Sequence, residues 1–185
     1  MMPEISLNIL DVAQNSIRAG AKLIEITVTA NTIKDSLRIT IKDDGCGMTQ
    51  EQVSRVMDPF YTTRTTRKVG LGIPFFQYAA NATGGDFHIQ STVNVGTQVT
   101  ANFVLSNIDR MPLGDMTSTM HTLITMNTGL DFLYTYTLDK RSFTLDTREF
   151  RNVIGDLPFN NFEISNYIKE YLSENKEEVD NGFIL

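Results

Sequence analysis

The sequence contains a single cysteine and no excess of positive charge. Cys46 has no second cysteine with which to form an internal disulfide, so a hydrophobic core must hold the fold, and a reducing compartment suits it. A zinc site built on cysteines is excluded for the same reason. Sixteen Lys and Arg against 22 Asp and Glu give a net charge of −6, which argues against binding to nucleic acid or to a membrane.

Long apolar runs are also missing. No stretch approaches the roughly 20 apolar residues of a membrane-spanning helix, and the first residues lack the basic segment and apolar run of a secretory signal. We therefore expect a soluble cytoplasmic protein. The 185 residues, 41% of them apolar, suffice for one domain or two small ones.

The negative charge is distributed unevenly along the chain. Residues 1–106 hold nine basic and nine acidic side chains, whereas residues 107–185 hold seven and thirteen, so the whole net charge of −6 belongs to the second part. This asymmetry, with the motifs below, predicts an N-terminal domain over 1–106 and a C-terminal region of unknown role over 107–185.

The spacing of apolar residues in the first part predicts helices and strands in alternation. A period near 3.6 indicates a helix between Pro3 and Gly20, and period-two alternation indicates strands afterwards. Thr49 and Gln52 form a predicted capping box for a short helix. Neighbouring strands with helices on one face are typical of an α+β two-layer sandwich. The other predicted elements are strands over 22–30, 37–41, 87–89 and 99–105, a loop over 58–72 and a helix over 73–83.

The second part reads as a small α+β appendage. We predict a helix ending near Gly129, a hairpin over 130–145, a short helix over 146–155 and an amphipathic helix around 164–172. The Tyr and Met content of this region suits either a partner surface or packing against the first domain, and we favour packing. The acidic end is expected to be a solvated tail.

Three polar motifs are each ambiguous when taken alone. Asp11 and Asn15 share a helical face and suit either a metal ion or plain solvation. The run 43–47, Asp-Asp-Gly-Cys-Gly, suits a tight turn or close approach of the backbone to a flat ligand. Gly70-Leu71-Gly72 before a helix is weak evidence for a phosphate site.

Taken in order, these motifs resemble the Bergerat-fold (GHKL) ATP-binding superfamily, shared by gyrase, heat-shock chaperones, histidine kinases and mismatch-repair ATPases. The resemblance covers about residues 5–105 and implies the same α+β sandwich. Residues 10–21 are similar to the N box and 43–48 to the first glycine box. Residues 58–64 resemble the phenylalanine box of histidine kinases, 70–73 the second glycine box, and Gly96-Thr97 the last short motif.

The resemblance implies a site for ATP and Mg²⁺. Asn15 would coordinate Mg²⁺, and Asp43, supported by Thr97, would accept a hydrogen bond from the adenine amine, which suits a carboxylate because it only accepts. The glycines would give the backbone room. Arg18 lies at a position where kinases often have a Lys or Arg that contacts phosphate. The implied cofactor-binding residues are Asn15, Arg18, Asp43, Gly45, Gly47, Thr62, Thr63, Arg64, Gly70, Leu71, Gly72 and Thr97.

Two positions depart from the family patterns. Asp11 is the candidate catalytic base, at a place where hydrolytic branches usually have Glu and many histidine kinases an amide, so its shorter side chain needs a closer nucleophile. Lys68 lies where histidine kinases often have a glycine. With Arg64 and Arg67 it either neutralises phosphates or is simply solvated.

The two histidines do not resemble a phosphoacceptor. Neither His88 nor His121 is followed by the acidic residue of an acceptor box, and we favour structural or surface roles for both. Nor does the sequence show the dimerising helical hairpin of a sensor kinase. We therefore expect a stand-alone ATP-binding protein whose phosphoacceptor is another protein.

The sequence is consistent with three hypotheses about function. The leading one is a Mg-ATP-binding regulatory protein that transfers the γ-phosphate to a separate protein partner or hydrolyses it slowly. The alternative is a non-catalytic switch in which ATP orders the loop over 58–72 and a partner binds it. A mismatch-repair-like DNA-dependent ATPase is disfavoured, because the first part is neutral and the second acidic, whereas binding to a phosphate backbone needs clustered Lys and Arg. The partner and the oligomeric state stay open.

Overall fold

The described part of the chain is built around one mixed six-stranded sheet. The computed structural model describes residues 3–58 and 72–185, so the predicted loop over 58–72 lies almost entirely outside it. The strands, in chain order, are β1 Leu23–Asn31, β2 Ser36–Asp43, β3 Asp86–Thr92, β4 Gly96–Val104, β5 Asp131–Leu138 and β6 Arg141–Asp146. In space they follow the order β3-β4-β2-β1-β5-β6.

Helices cover one face of this sheet. Along β1 and β5 every second side chain is buried, and the buried side chains form one core with apolar residues from the helices. The predicted α+β two-layer sandwich is confirmed. The helices are α1 Ile5–Arg18, α2 Gln50–Val56, α3 Gly72–Ala82, α4 Met116–Met126, α5 Thr147–Ile154 and α6 Phe162–Asp180.

Local sequence signals account for several of these boundaries. Gly20, with a φ of +74°, follows the end of α1. Thr49 and Gln52 bond reciprocally at the start of α2, which confirms the capping box. Asp146 accepts from the Arg148 backbone N–H and caps α5.

The C-terminal region extends the same sheet. β5 runs parallel to β1, from Leu23 opposite Asp131 to Ala30 opposite Leu138, while β2 pairs antiparallel on the other side of β1. The tyrosines Tyr134 and Tyr136 are buried in the core, so the expected packing of this region against the first is confirmed. β1 consequently lies inside the sheet, with one neighbour from each region.

The expected solvated acidic tail is wrong. α6 continues to Asp180, and both Val179 and Asp180 are buried. The hydroxyl of Tyr136 donates to Asp180 Oδ1 at 2.6 Å, and Lys176 Nζ donates to Oδ2 at 2.5 Å. The helix persists because Val179 continues its apolar side and the buried tyrosine gives the acidic end a partner. Three glutamates of this segment remain exposed: Glu174, Glu177 and Glu178.

None of the helices in residues 3–58 and 72–185 has the length and apolar character needed to cross a bilayer.

Candidate functional site

A cavity of about 330 Å³ opens between α1, α2, the start of α3 and the adjoining ends of β2 and β4. It brings together segments that are far apart in the sequence, and it gathers half of the predicted cofactor-binding residues. Those that line it are Asn15, Arg18, Asp43, Gly47, Gly72 and Thr97.

Asp43 is a buried charged group in the wall of this cavity. Its side chain lies at the end of β2 and is only 8% exposed. Ser16 Oγ donates to Asp43 Oδ2 at 2.5 Å, and the backbone N–H groups of Gly45 and Thr97 donate to Oδ1 at 2.9 and 3.3 Å. Three donors fix the carboxylate, and one lone pair of Oδ2 stays available to accept from a ligand. Sequence reasoning missed Ser16 as a site residue, although Asn-Ser at 15–16 belongs to the N-box pattern.

Thr97 is held by a second small hydrogen-bond network. Ser91 Oγ lies 2.9 Å from Thr97 Oγ1, accepts from the Met48 backbone N–H at 2.8 Å and lies 3.1 Å from the Gly96 carbonyl, to which it donates. Because Ser91 gives its one proton to Gly96, Thr97 must donate to Ser91. The network ties the turn after β2 to the hairpin between β3 and β4.

The turn after β2 depends on glycine. Gly47 has a φ of +64°, and a Cβ there would overlap the Thr92 carbonyl oxygen. Gly96 has a φ of +132°, and a Cβ there would overlap the Asp43 carbonyl oxygen. Glycine is therefore needed at position 47 because the backbone of Thr92 leaves no room for a side chain there.

Asp44 anchors the same turn to the start of β1. Its Oδ1 accepts from the backbone N–H groups of Lys22 at 2.7 Å and Leu23 at 2.9 Å. Partial burial raises the pKa of Asp44, but these backbone hydrogen bonds outweigh that effect and hold the pKa below its ordinary value. Asp44 thus has a structural role, while the neighbouring Asp43 faces the cavity.

Asn15 and Arg18 lie at the mouth of the cavity on α1. Arg18 Nη1 donates to Asn15 Oδ1 at 3.2 Å, so the amide oxygen expected to hold Mg²⁺ faces a cation here. No group of three His, Cys, Asp or Glu that could hold a metal occurs in the described ranges. A single amide oxygen fits Mg²⁺ only when phosphate oxygens of a ligand complete its coordination.

Asp11, the candidate base, lies beside the start of α3. A Cβ placed on Gly72 would overlap the Asp11 carboxylate, so glycine at 72 leaves room for this side chain. Asp11 is half-buried and is not among the cavity-lining residues of the described part. Its catalytic role stays a prediction.

Several predicted site residues lie outside the described residues, and their roles also stay predictions. They are Thr62, Thr63, Arg64, Arg67, Lys68, Gly70 and Leu71.

Apolar side chains complete the wall, and sequence reasoning had not assigned them to a site. They come from α1, β2, α2, α3, β4 and, for Met48, the turn before α2. None of them had been assigned a role toward a ligand, since periodicity marks an apolar residue only as a candidate for the core. They are Val12, Ile41, Met48, Val56, Ile73 and Val99.

The histidines lie away from the cavity. His88 is exposed on β3, with Nε2 3.2 Å from Asp86 Oδ1, and His121 on α4 lies 2.8 Å from Ser165 Oγ on α6. Both placements agree with the structural and surface roles predicted for them.

A solved structure with the same fold is the N-terminal domain of a DNA repair protein. The two superpose with a TM-score of 0.54 at 16% sequence identity, over 78% of this chain and 53% of the other. This identity shows a shared fold alone. The matched share is too large for residues 1–107 by themselves, so the likeness in fold extends into the C-terminal region.

Curated relatives are sensor and sporulation kinases of bacteria. The chain is 33% identical over 101 residues to the signal transduction histidine-protein kinase AtoS of Escherichia coli, covering 54% of this chain and 16% of that protein. It is 30% identical over 98 residues to sporulation kinase D of Bacillus subtilis, covering 53% and 19%. For the sensor histidine kinase YvrG of Bacillus subtilis the figures are 28% over 93 residues, 48% and 16%. The chain thus spans less than a fifth of the length of these relatives.

The family model described as histidine kinase-, DNA gyrase B- and HSP90-like ATPase matches residues 4–107. That range is more than half of the chain and contains every element that lines the cavity. The resemblance seen in the sequence motifs is confirmed: the chain belongs to the histidine kinase-, DNA gyrase B- and HSP90-like ATPase family.

Proposed function

We propose that the chain binds Mg-ATP in the cavity and transfers the γ-phosphate to a separate protein partner or hydrolyses it slowly. The observation that carries this proposal is the buried Asp43 carboxylate, held by Ser16 and two backbone N–H groups at the cavity wall. A fixed acceptor without a proton of its own selects a ring that presents an amino group, as adenine does, over guanine at the same place.

The rest of the cavity supports an aromatic ligand with a charged end. Val12, Ile41 and Val99 give an apolar wall on which a flat ring loses its hydration favourably. Asn15, Arg18 and the start of α3 at Gly72 lie where polar and anionic groups would emerge from that wall. Backbone N–H groups at a helix start favour phosphate oxygens.

Asn15 and Arg18 would share the charged end of the ligand. When bound with ATP, Mg²⁺ neutralises phosphate charge and holds the phosphate groups in place. Arg18 now donates to Asn15, so it would move from the amide oxygen to the phosphates on binding. Asp11, beside Gly72, would accept the proton of an attacking water or acceptor hydroxyl.

A non-catalytic switch is the second candidate. Asp11 is absent from the cavity lining among the described residues, so nucleotide binding can occur without engaging the candidate base. In this version ATP orders the segment around 58–72 and a partner binds the ordered form, with no phosphate transferred.

The test replaces Asp43 with asparagine and measures ATP binding calorimetrically in the presence of Mg²⁺. Asp43→Asn keeps the shape but puts an amide near the Ser16 hydroxyl and the adenine amine, so we expect affinity to fall by about 100-fold or more. Asp44→Asn is the matched control, because its side-chain oxygen can still accept from Lys22 and Leu23, and it should bind ATP normally. Unchanged binding by Asp43→Asn would exclude this nucleotide site.

The same proteins incubated with γ-labelled ATP and a cell lysate separate the two candidates. Label on a protein supports transfer, free phosphate supports hydrolysis, and Asp43→Asn should lose either signal. If the wild-type protein binds ATP but produces neither labelled protein nor free labelled phosphate, the switch is supported instead.

A further inference from the structure

Three aromatic rings form a cluster on the surface of α5 and α6, outside the family-matched range. Phe150, Tyr167 and Tyr171 contact one another with ring centroids 5.5–6.5 Å apart. Phe150 and Tyr171 are partly buried against the core, whereas Tyr167 is 57% exposed. We call these three residues the aromatic cluster. Exposed aromatic side chains that are supported from below are typical of binding surfaces.

The cluster is held in place by the fold. The hydroxyl of Tyr171 donates to the Thr144 carbonyl of β6 at 3.3 Å, and its ring meets the buried Phe143 edge-on. α5 is fixed by Arg151, whose Nε donates to Asp131 Oδ1 at 2.8 Å. Because these rings are already ordered, they lose little side-chain entropy when a ligand packs on them.

Acidic side chains surround the cluster, and we call them the acidic rim. Helical spacing places Glu163 four residues before Tyr167, Glu170 three after it, and Glu174 three after Tyr171. On α5, Phe150 follows Glu149 directly. Burial raises the pKa of Tyr171 and the nearby negative charge of Glu149 raises it further. The acidic rim consists of Glu149, Glu163, Glu170 and Glu174.

Basic side chains of these helices are paired with acidic residues outside the rim or lie away from the cluster. Arg148 pairs with Asp146. Burial raises the pKa of Asp115, but hydrogen bonds within the first turn of α4 and the charges of Lys176 and Lys169 hold it below its ordinary value. Lys176 Nζ pairs with Asp180, and Lys169 is two residues from both Tyr167 and Tyr171, so helical spacing places it on the other side of α6 from the aromatic cluster. The rim is therefore left negative.

We propose that the aromatic cluster and its acidic rim bind a basic amphipathic segment of a partner protein. An apolar side chain of that segment packs on Tyr167 and Phe150, and its Lys or Arg residues lie opposite the glutamates. A second copy of this chain is a poor occupant, because a twofold contact through this surface would bring two acidic rims together. The surface is separate from the ATP cavity, so binding requires no nucleotide.

The test uses two fluorescently labelled synthetic amphipathic peptides of equal length and identical apolar residues, one with Lys and one with Glu at every polar position. Fluorescence anisotropy with the full chain should show binding of the Lys peptide and none of the Glu peptide. Tyr167→Ala should weaken binding by about tenfold or more. Glu170→Gln with Glu174→Gln should weaken it and reduce its dependence on salt.

Tyr78→Ala is the matched control, since Tyr78 on α3 is 61% exposed and lies outside the cluster. It should leave binding unchanged, and circular dichroism should show native folding of all variants. Equal weakening by Tyr78→Ala, binding of both peptides, or binding of neither would overturn the proposal. So would sedimentation showing a dimer that Tyr167→Ala converts to monomer, because the occupant would then be a second copy.

Discussion

Gly47 and Gly20 share a left-handed backbone but differ in the space around them. Gly47 has a φ of +64° and Gly20 a φ of +74°. A Cβ on Gly47 would overlap the carbonyl of Thr92, whereas a Cβ on Gly20 would meet nothing within 4 Å. The two positions therefore separate backbone strain from steric overlap.

Gly20→Ala should cost only the strain of a left-handed alanine, roughly 1–2 kcal/mol of unfolding free energy. Gly47→Ala should cost more and should also weaken ATP binding, because relief of the overlap moves Met48, whose backbone N–H bonds Ser91. Urea denaturation and ATP titration of both variants measure the two effects. Equal losses of stability, with ATP affinity unchanged in both, would contradict this account of the turn.

Individual site residues could be found from the sequence only where a motif marked them. The run that holds Asp43 and Gly47 is ambiguous alone, but its place among the other motifs marked both residues, and the structure brings both to the cavity. Ser16 lies on a helix beside apolar positions, where a buried serine is unremarkable. Only the approach of β2 to α1 shows that its hydroxyl bonds Asp43.

The C-terminal helix α6 is attached to the sheet by one of two neighbouring tyrosines. Tyr136 donates to Asp180 near the end of α6, and burial together with this hydrogen bond raises the pKa of Tyr136. The hydroxyl of Tyr134 is buried without a hydrogen-bond partner among the described residues. The Tyr136 hydroxyl therefore has a hydrogen-bond partner, whereas the Tyr134 hydroxyl has none among the described residues.

Tyr136→Phe should lower the unfolding free energy by about 2 kcal/mol, because Asp180 loses a buried donor. Tyr134→Phe should be neutral or stabilising, since it removes a buried hydroxyl that makes no hydrogen bond. Thermal or chemical denaturation of the pair gives the comparison directly. A larger loss from Tyr134→Phe would mean that the attachment of α6 is wrongly assigned.

Elements were predictable where periodicity was long and strong. The 3.6-residue period of α1 and the alternation in β1 and β5 fixed their type and approximate ends. The last turns of α6 were missed, because glutamates and a lysine outnumber the one apolar residue, Val179. The pairing of β5 with β1 was also beyond the sequence, since an alternating pattern shows a buried face but not which strand lies alongside.

At the scale of the molecule, the two charge-defined regions share one sheet. β1 pairs with β2 from its own region and with β5 from the other. The connection between the regions also pairs with α1, since the backbone N–H of Ile5 donates to the Pro112 carbonyl at 3.0 Å. That residues 1–106 form a domain of their own stays a prediction. The isolated segment would lose these contacts and the stability that they contribute.

Residues 1–106 expressed alone should unfold without cooperativity or aggregate, because β1 becomes an edge strand and the side of α1 that packs against α4 is exposed. Co-expression of 107–185 should restore a folded complex. Thermal circular dichroism and sedimentation of both preparations provide the measurement. A monomeric 1–106 with a sharp melting transition would show instead that the first region is autonomous.

The parallel pairing of β1 with β5 has a consequence for synthesis on the ribosome. Leu23 pairs with Asp131, which is synthesised about a hundred residues later, so this edge of β1 stays unpaired until then. Contacts between residues so far apart in the sequence make folding slow. Until β5 emerges, the nascent chain presents an unpaired strand edge flanked by Ile24, Ile26 and Val28. The growing polypeptide is therefore most exposed to chaperones and to misassembly while the C-terminal half is being translated.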